Sequence, residues 1–339
     1  MTTIKDIANR AGVSTTTVSN VIHGKTKKVS PATIELINNL IQDMGYVQKM
    51  GLSVLNNSNS KMIALVIHTH KKYKNTVISD PFYSRIISYI EERLRTQGYY
   101  IMLYSTDDVN EVFRTVMAWN IDGVIALSFS RNDCNKMWSL IHKPVISIDA
   151  YGISHDATPV TNIGLDDFTG GSLMVKYLLK CGYKNIFVCA TSDYGVDHAR
   201  WKGAKEAFDN ASAGDDHCKI RLVNIGEIPL TRESFYQQLI RQIPFSQKTA
   251  AFFLSDYFAM EAISYLASKS IRVPADIGIA GFDDITYAHL TVPKLTTIHQ
   301  DMEKKAEQTV TELLKAIKDP AYTGREILLD VILIARDSI

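Results

Sequence analysis

Four cysteines stand in 339 residues, at Cys134, Cys181, Cys189 and Cys218. They form no CxxC pair and no cysteine–histidine spacing, which argues against a disulfide framework or a zinc site. Thiols kept reduced in the cytoplasm are the expectation. No stretch is long and apolar enough to cross a membrane. The chain opens Thr2-Thr3-Ile4-Lys5-Asp6, without the apolar region of a secretory leader, so no membrane partner and a cytoplasmic location are expected. There is no glycine-rich phosphate loop and no nucleophile elbow. The nine histidines show no ligand spacing; His68 and His70 lie near a strand end without a third partner. An enzyme, a metal site and a cofactor are therefore not expected.

Net charge is also lacking: the whole chain carries +1. Its distribution is uneven. The first 61 residues hold seven lysines and arginines against three carboxylates, and the rest is slightly acidic. A basic head on such a body suits a polyanion at one end only.

What is present begins with three capped helices. Thr3 with Asp6 reads as an N-cap and its return partner, and Ile4, Ile7, Ala8 and Ala11 follow at helical spacing. Gly12 stops that helix. Ser14 caps a second over 15–23, with Val18, Val21 and Ile22 on its apolar side. Ser30-Pro31 opens a third, striped by Ile34, Ile37, Ile41 and Met44 and ended by Gly45. Small Ala8, turning Gly12 and inserted Val18 make a helix-turn-helix of the first two; a generic three-helix bundle is the alternative.

The segments Thr3-Ile4-Lys5-Asp6-Ile7-Ala8, Ala11-Gly12-Val13-Ser14, Thr17-Val18-Ser19, Val29-Ser30 and Gly45-Tyr46 resemble the head of the lactose/galactose repressor family. That resemblance implies a sequence-specific transcription regulator, most often a repressor, whose second helix enters the major groove. It implies Thr15 and Thr16 as base readers. Thr3, Ile4, Ser14, Thr17, Ser19, Asn20, His23 and Ser30 complete the implied DNA-contacting set. Asn20 and His23 stand where Arg and Asn are common in the family. Lys25, Lys27 and Lys28 either contact phosphate or are simply solvated. A hinge is expected over 48–61, where the resemblance implies that Leu55 wedges into the minor groove. The family's usual residues are replaced by Gln48, Lys49, Leu52 and Ser53, and a plain tether is the other reading.

From residue 62 onward, short apolar runs alternate with helical patterns. Strands are expected at 62–67, 99–104, 123–127 and 145–148, then at 186–189, 220–223, 251–254, 277–280 and 327–335. Helices are expected between them, such as 82–95, 109–119, 135–141, 170–179 and 200–208. Strict alternation implies parallel sheets covered on both faces, and two series imply two lobes. Ligands in such sheets bind beyond the carboxyl ends of the strands, here in the cleft between the lobes.

The body resembles the same family's sensor, through Asp80-Pro81-Phe82-Tyr83, Asp122-Gly123-Val124-Ile125, Arg200-Trp201-Lys202-Gly203, Gly281-Phe282-Asp283-Asp284 and Leu295-Thr296-Thr297-Ile298. The implied fold is an α/β two-lobed sensor like the periplasmic binding proteins, behind an all-α helix-turn-helix head. Expected boundaries are 1–47 for the head, 48–61 for hinge and linker, and 62–339 for the sensor. Within it, the first lobe is expected over 62–160 plus 292–320, and the second over 161–291 plus 321–339. Effector contacts implied by the resemblance are Asp149, Arg200, Asp256 and Asp283, with Phe82 and Tyr83 near the cleft mouth. Carboxylates and a guanidinium suit paired hydroxyls, and aromatic faces suit a sugar ring. Each has a plainer reading: Asp149 and Asp283 as caps or interlobe pairs, Arg200 as a partner of Asp197. The expected partners are a palindromic double-stranded operator, a sugar or sugar phosphate, and a second copy of the chain, since one short recognition helix reads too few base pairs. A transport-type binding protein is the rival reading; the helix-turn-helix and the absent leader speak against it.

Overall fold

Local capping and alternating hydrophobic periods dictate most elements of this chain. A computed structural model describes residues 2–22, 24–46, 60–69, 77–152, 159–212, 217–226, 229–243 and 247–339. They fall into two units, Met1–Ser60 and Lys61–Ile339.

Among the described residues, the first unit holds three helices: α1 (Ile4–Ala11), α2 (Thr15–Ile22) and α3 (Pro31–Asp43). Each starts on a hydroxyl that accepts a backbone N–H otherwise left without a partner. Thr3 Oγ1 accepts from Asp6 N, and the Asp6 carboxylate accepts from Thr3 N at 2.8 Å. Ser14 Oγ accepts from Thr17 N at 3.1 Å, and Ser30 Oγ from Thr33 N at 3.2 Å. Gly12 takes the left-handed φ of 67° that ends α1, a conformation costly for a side chain with a Cβ. Ile7, Ala8, Val18, Val21 and Ile37 are buried together. Hinge residues Gln48, Lys49, Leu52, Ser53 and Leu55, together with His23, lie outside the described residues.

Among its described residues, the second unit contains two six-stranded sheets. The strands are β1 (Met62–His68), β2 (Tyr100–Thr106), β3 (Gly123–Leu127), β4 (Val145–Ile148), β5 (Thr161–Leu165), β6 (Asn185–Ala190), β7 (Lys219–Asn224), β8 (Thr249–Phe253), β9 (Gly278–Asp283), β10 (Thr296–Gln300), β11 (Glu326–Leu329) and β12 (Val331–Ile334). The first sheet runs β11-β5-β4-β3-β1-β2, with every neighbouring pair parallel. The second runs β12-β10-β9-β8-β6-β7, parallel except that β10 and β12 are antiparallel. Strands β3, β4, β6, β8 and β9 are buried along their whole length, as parallel strands covered on both faces must be. The helices are α4 (Pro81–Thr96), α5 (Val109–Trp119), α6 (Arg131–Ile141), α7 (Asp167–Lys180), α8 (Gly195–Ala211), α9 (Pro229–Arg241), α10 (Asp256–Ser268) and α11 (Met302–Lys318). Among the described residues, no helix is long and apolar enough to cross a membrane.

The lobe boundaries differ from those expected. Thr161–Leu165 pairs with β4 in the first sheet, whereas the sequence reading starts the second lobe at 161. Thr296–Gln300 pairs with β9 in the second sheet, whereas the sequence reading places 292–320 in the first lobe. The single strand expected over 327–335 is two strands in different sheets, divided at Asp330. The sequence pattern predicts neither strands β5 and β10 nor helix α11. β5 carries an Asn and a Gly that weaken its strand pattern, and α11 opens on the charged run Glu303-Lys304-Lys305. Membership of a sheet is a pairing decision, which a local pattern cannot report. The chain therefore crosses between lobes three times, at Asp166, Asp301 and Asp330. Asp166 and Asp301 also cap the helices that follow, accepting from Thr169 N and Lys304 N.

One packing detail sets up the site. Helices α7 and α8 meet at Gly171 and Gly203, where an added Cβ would lie 1.9 Å from Arg200 O and 1.8 Å from Phe168 O, respectively. Only glycine permits that approach. It brings Arg200 on α8 against the first turn of α7.

Candidate functional site

A cavity of about 350 Å³ opens between the two lobes of the second unit, inside the range of roughly 300–1,000 Å³ typical of small-molecule sites. The carboxyl ends of strands from both sheets form its wall. His68 ends β1 and Thr69 follows it, Ser128 follows β3, and Asp149 and Tyr151 follow β4. Thr191 and Ser192 follow β6, Leu254 and Ser255 follow β8, and Asp283 ends β9. The first turns of α4, α8 and α10 complete it with Phe82 and Tyr83, Gly195 to Asp197, and Tyr257 and Phe258.

Its polar groups are wired to one another. Lys305 of α11 is fully buried and donates to both oxygens of Asp149 at 2.9 Å. It donates again to Gln300 Oε1 at 2.9 Å, and Gln300 Nε2 donates to Asp283 Oδ1 at 2.6 Å. Arg200 Nε donates to Asp167 at 2.7 Å, and its Nη1 donates to the Leu254 carbonyl at 2.6 Å. Its Nη2 stands 4.0 Å from Asp283, and the guanidinium lies 3.6 Å from the centre of the Phe282 ring. Asp149 belongs to the first lobe and Asp283 to the second, so this chain of bonds spans the crossover.

Burial governs the charges. It works against ionisation of Arg200, but the carboxylates of Asp167, Asp283 and Asp197 outweigh it and hold the guanidinium above its usual range. Burial raises the Asp283 carboxyl to about 7, against the pull of Arg200. Asp167 and Asp197 are likewise raised by burial and partly restrained by Arg200. Asp80 is raised by burial, with the Phe82 N–H opposing.

Aromatic side chains close the cleft. Tyr151 of the first lobe and Tyr194 of the second lie 5.6 Å apart between ring centres. Phe82 and Tyr83 stack edge to face at 5.2 Å, and Tyr83 Oη lies 3.1 Å from Ser128 Oγ. Arg85 of α4 reaches Thr286 in the second lobe at 3.1 Å.

The structure thus brings Phe82, Tyr83, Asp149, Arg200 and Asp283 onto one wall. Asp256 does not join them. It is fully buried behind Ser255 and Tyr257, and its oxygens accept from Thr297 Oγ1 at 2.5 Å and from Ile285 N at 2.9 Å. Burial, and then the neighbouring Asp283, raise its carboxyl far above the ordinary range. Asp256 thus holds together elements of the second lobe and is not among the residues that line the cavity. Arg200 bonds to Asp167, where Asp197 was the expected alternative. Lys305, Gln300 and Asp167 are not singled out by any motif in the sequence. The available signal was a lysine at helical spacing among the buried positions Met302, Ala306, Thr309 and Leu313.

In the head, Thr15 and Thr16 are exposed at the start of α2, as is Ser14. Thr17, Ser19 and Asn20 are half-buried. Thr3, Ser14, Thr17 and Ser30 already use their hydroxyls in the helix starts, and Ile4 packs against the small core. Lys25, Lys27 and Lys28 are exposed beyond α2.

Comparison with known proteins places these features in context. Residues 3–49 match the model of bacterial regulatory proteins of the lacI family, and 175–339 match a periplasmic binding protein-like domain. A transcriptional repressor named PurR from Haemophilus influenzae is 30% identical over 325 residues, covering 94% of this chain and 91% of the relative. The lac repressor dimer bound to operator superposes with a TM-score of 0.81 at 22% identity, covering 99% of this chain and 98% of the other. The regulator CelR in complex with cellobiose superposes at a TM-score of 0.70 and 24% identity over the full length of both chains.

Proposed function

The chain belongs to the lacI family of bacterial DNA-binding transcription regulators, and from that premise we propose that it is a repressor whose operator affinity is switched by a carbohydrate held between its two lobes. The observation that carries the effector half is the cavity itself: hydrogen-bonding carboxylates from both lobes beside aromatic faces. Hydroxyl pairs take carboxylates, and sugar C–H faces take aromatic rings. The regulators CelR and lac repressor, with their bound small molecules, share the fold.

For the DNA half, exposed Thr15 and Thr16 on α2 read bases, while Lys25, Lys27 and Lys28 meet phosphates. The operator is a palindrome read by a homodimer, as two half-sites require. Ser19, Asn20, His23 and the wedge Leu55 belong to the same proposed interface. A ligand shifts operator affinity only through its differential affinity for the two states of the dimer.

The test has two arms on the full chain. Thermal unfolding is screened against sugars, sugar phosphates and purines, since a ligand of the folded state stabilises by mass action. Binding-site selection is then run on the parent and on a Thr15→Ala, Thr16→Ala variant, where base readers discriminate by about 1–3 kcal/mol per position. A preferred operator unchanged in the double variant removes the threonines from readout. A purine that stabilises where every sugar fails replaces the carbohydrate assignment.

A further inference from the structure

Three helices begin at the cavity, and a helix N-terminus ordinarily attracts anions. Here each brings its own carboxylate. Asp80 caps α4 and accepts from Phe82 N at 2.8 Å. Asp197 lies in the first turn of α8, where it accepts from Ser192 Oγ at 3.3 Å and Ser192 N at 3.4 Å. Asp256 opens α10. A carboxyl group of the protein thus already stands at each positive end, hydrogen-bonded to the first turn in α4 and lying within the first turn in α8 and α10.

The arginines of the wall are also committed. A phosphate is clamped by a guanidinium that can offer two parallel N–H donors. Arg200 spends Nε on Asp167 and Nη1 on the Leu254 carbonyl, and faces Asp283 with the remainder. Arg232 donates Nε to Glu261 at 2.8 Å and is 6% exposed at its side chain. The fully buried ammonium of Lys305 is turned onto Asp149 and Gln300. Four carboxylates, Asp80, Asp149, Asp197 and Asp283, line the same space.

Resting on the reading of this cleft as the effector site, we propose that it takes an uncharged or amine-bearing polyhydroxylated molecule and rejects its phosphorylated counterpart. The wall offers acceptors to a ligand rich in O–H or N–H donors. A phosphate there would face carboxyl oxygens and lose its water without gaining an uncommitted guanidinium or ammonium, since Arg200 and Lys305 are already bonded within the protein. Lys305 is the positioning residue of this arrangement. It orients the first lobe's Asp149 directly and, through Gln300, the second lobe's Asp283.

The experiment is thermal unfolding of the full chain with matched probes at equal ionic strength. The probes are ribose and ribose 5-phosphate; glucose, glucosamine and glucose 6-phosphate; and inorganic phosphate, against sodium chloride. Phosphate and the sugar phosphates are expected to shift Tm no further than the salt control. Where a neutral sugar raises Tm, its amine raises it at least as much. Saturable stabilisation by any phosphorylated probe, lost when Ser255→Trp fills the cavity, overturns the proposal; Thr69→Trp serves if the first variant does not fold. Anion stabilisation that survives both substitutions lies outside the cavity and leaves the proposal standing. Silence from all neutral and amine probes, with silence from the anions, removes the carbohydrate reading while the exclusion of anions holds.

Discussion

The head and the cleft spend their polar side chains in opposite ways. In the head, Thr3, Ser14 and Ser30 are exposed, and each bonds a backbone N–H three residues on. In the cleft, Asp149, Asp167, Arg200, Asp283 and Lys305 bond to groups far away in sequence; the Lys305–Asp149 pair spans 156 residues. The head leaves its cations at the surface, available to a polyanion. The cleft turns its cations inward onto carboxylates. One chain thus presents a basic surface at one end and an acid-lined cavity in its other unit. The energetic consequence is that a break in the head is local, whereas a break in the cleft strands a buried charge.

The sharpest way to break that comparison is Arg200→Met. Removing one partner of a buried ion pair typically costs about 3–5 kcal/mol, because the remaining charges stay buried. Asp167 and Asp283 would be left facing each other's side of the same space. Urea unfolding should show this loss directly. A variant as stable as the parent, with only its ligand response gone, would return Arg200 to the role of a pure effector contact.

The second prediction concerns pH. Asp283 is raised by burial to about 7, against an unfolded value of about 3.9. A carboxyl raised on folding stabilises fully below its unfolded value, and that contribution is lost as pH rises through the folded one. The sensor should therefore melt lower at pH 8 than at pH 6, and Asp283→Asn should flatten that difference. In the head the sign is reversed. The hydrogen bonds from Thr3 lower the Asp6 carboxyl, so its contribution is present above the ordinary carboxylate range and fades as pH falls. Parallel slopes in the parent and Asp283→Asn would show that Asp283 does not titrate in this window.

Smaller effects sharpen the local side of the comparison. Thr3→Ala should weaken α1 by ~1 kcal/mol, about a fivefold loss of hydrogen-exchange protection for its amides, without moving the sensor's melting temperature. Smallest is Arg95→Ala, which deletes a surface pair with Glu91 at 3.0 Å. Exposed pairs of this kind contribute less than ~0.5 kcal/mol, so Tm should hardly change at low or high salt. A large change at either position would blur the line between exposed and buried polar groups.

Much of this was legible in the residues themselves. The Thr3/Asp6 capping box, the stop at Gly12 and the Ser30-Pro31 start involve partners a few residues apart, and they appear in the fold as the spacing implies. The alternation of strands and helices announced two parallel sheets for the same reason. Phe82, Tyr83, Asp149, Arg200 and Asp283 were placed at the cleft through family resemblance, and they line the cavity. Asp256, implied on the same grounds, turns inward to Thr297 and Ile285.

Sequence by itself determined the helix starts and the strand periods, because each depends on neighbours within a turn or a pleat. The tertiary structure alone decided which sheet receives Thr161–Leu165 and Thr296–Gln300, and that Lys305 holds Asp149 and Gln300. Those outcomes depend on strand pairing and on three crossings between lobes, which join groups that no local pattern relates. A buried lysine on α11 acquires its meaning only when β10 of the second sheet hands the chain to a helix of the first lobe.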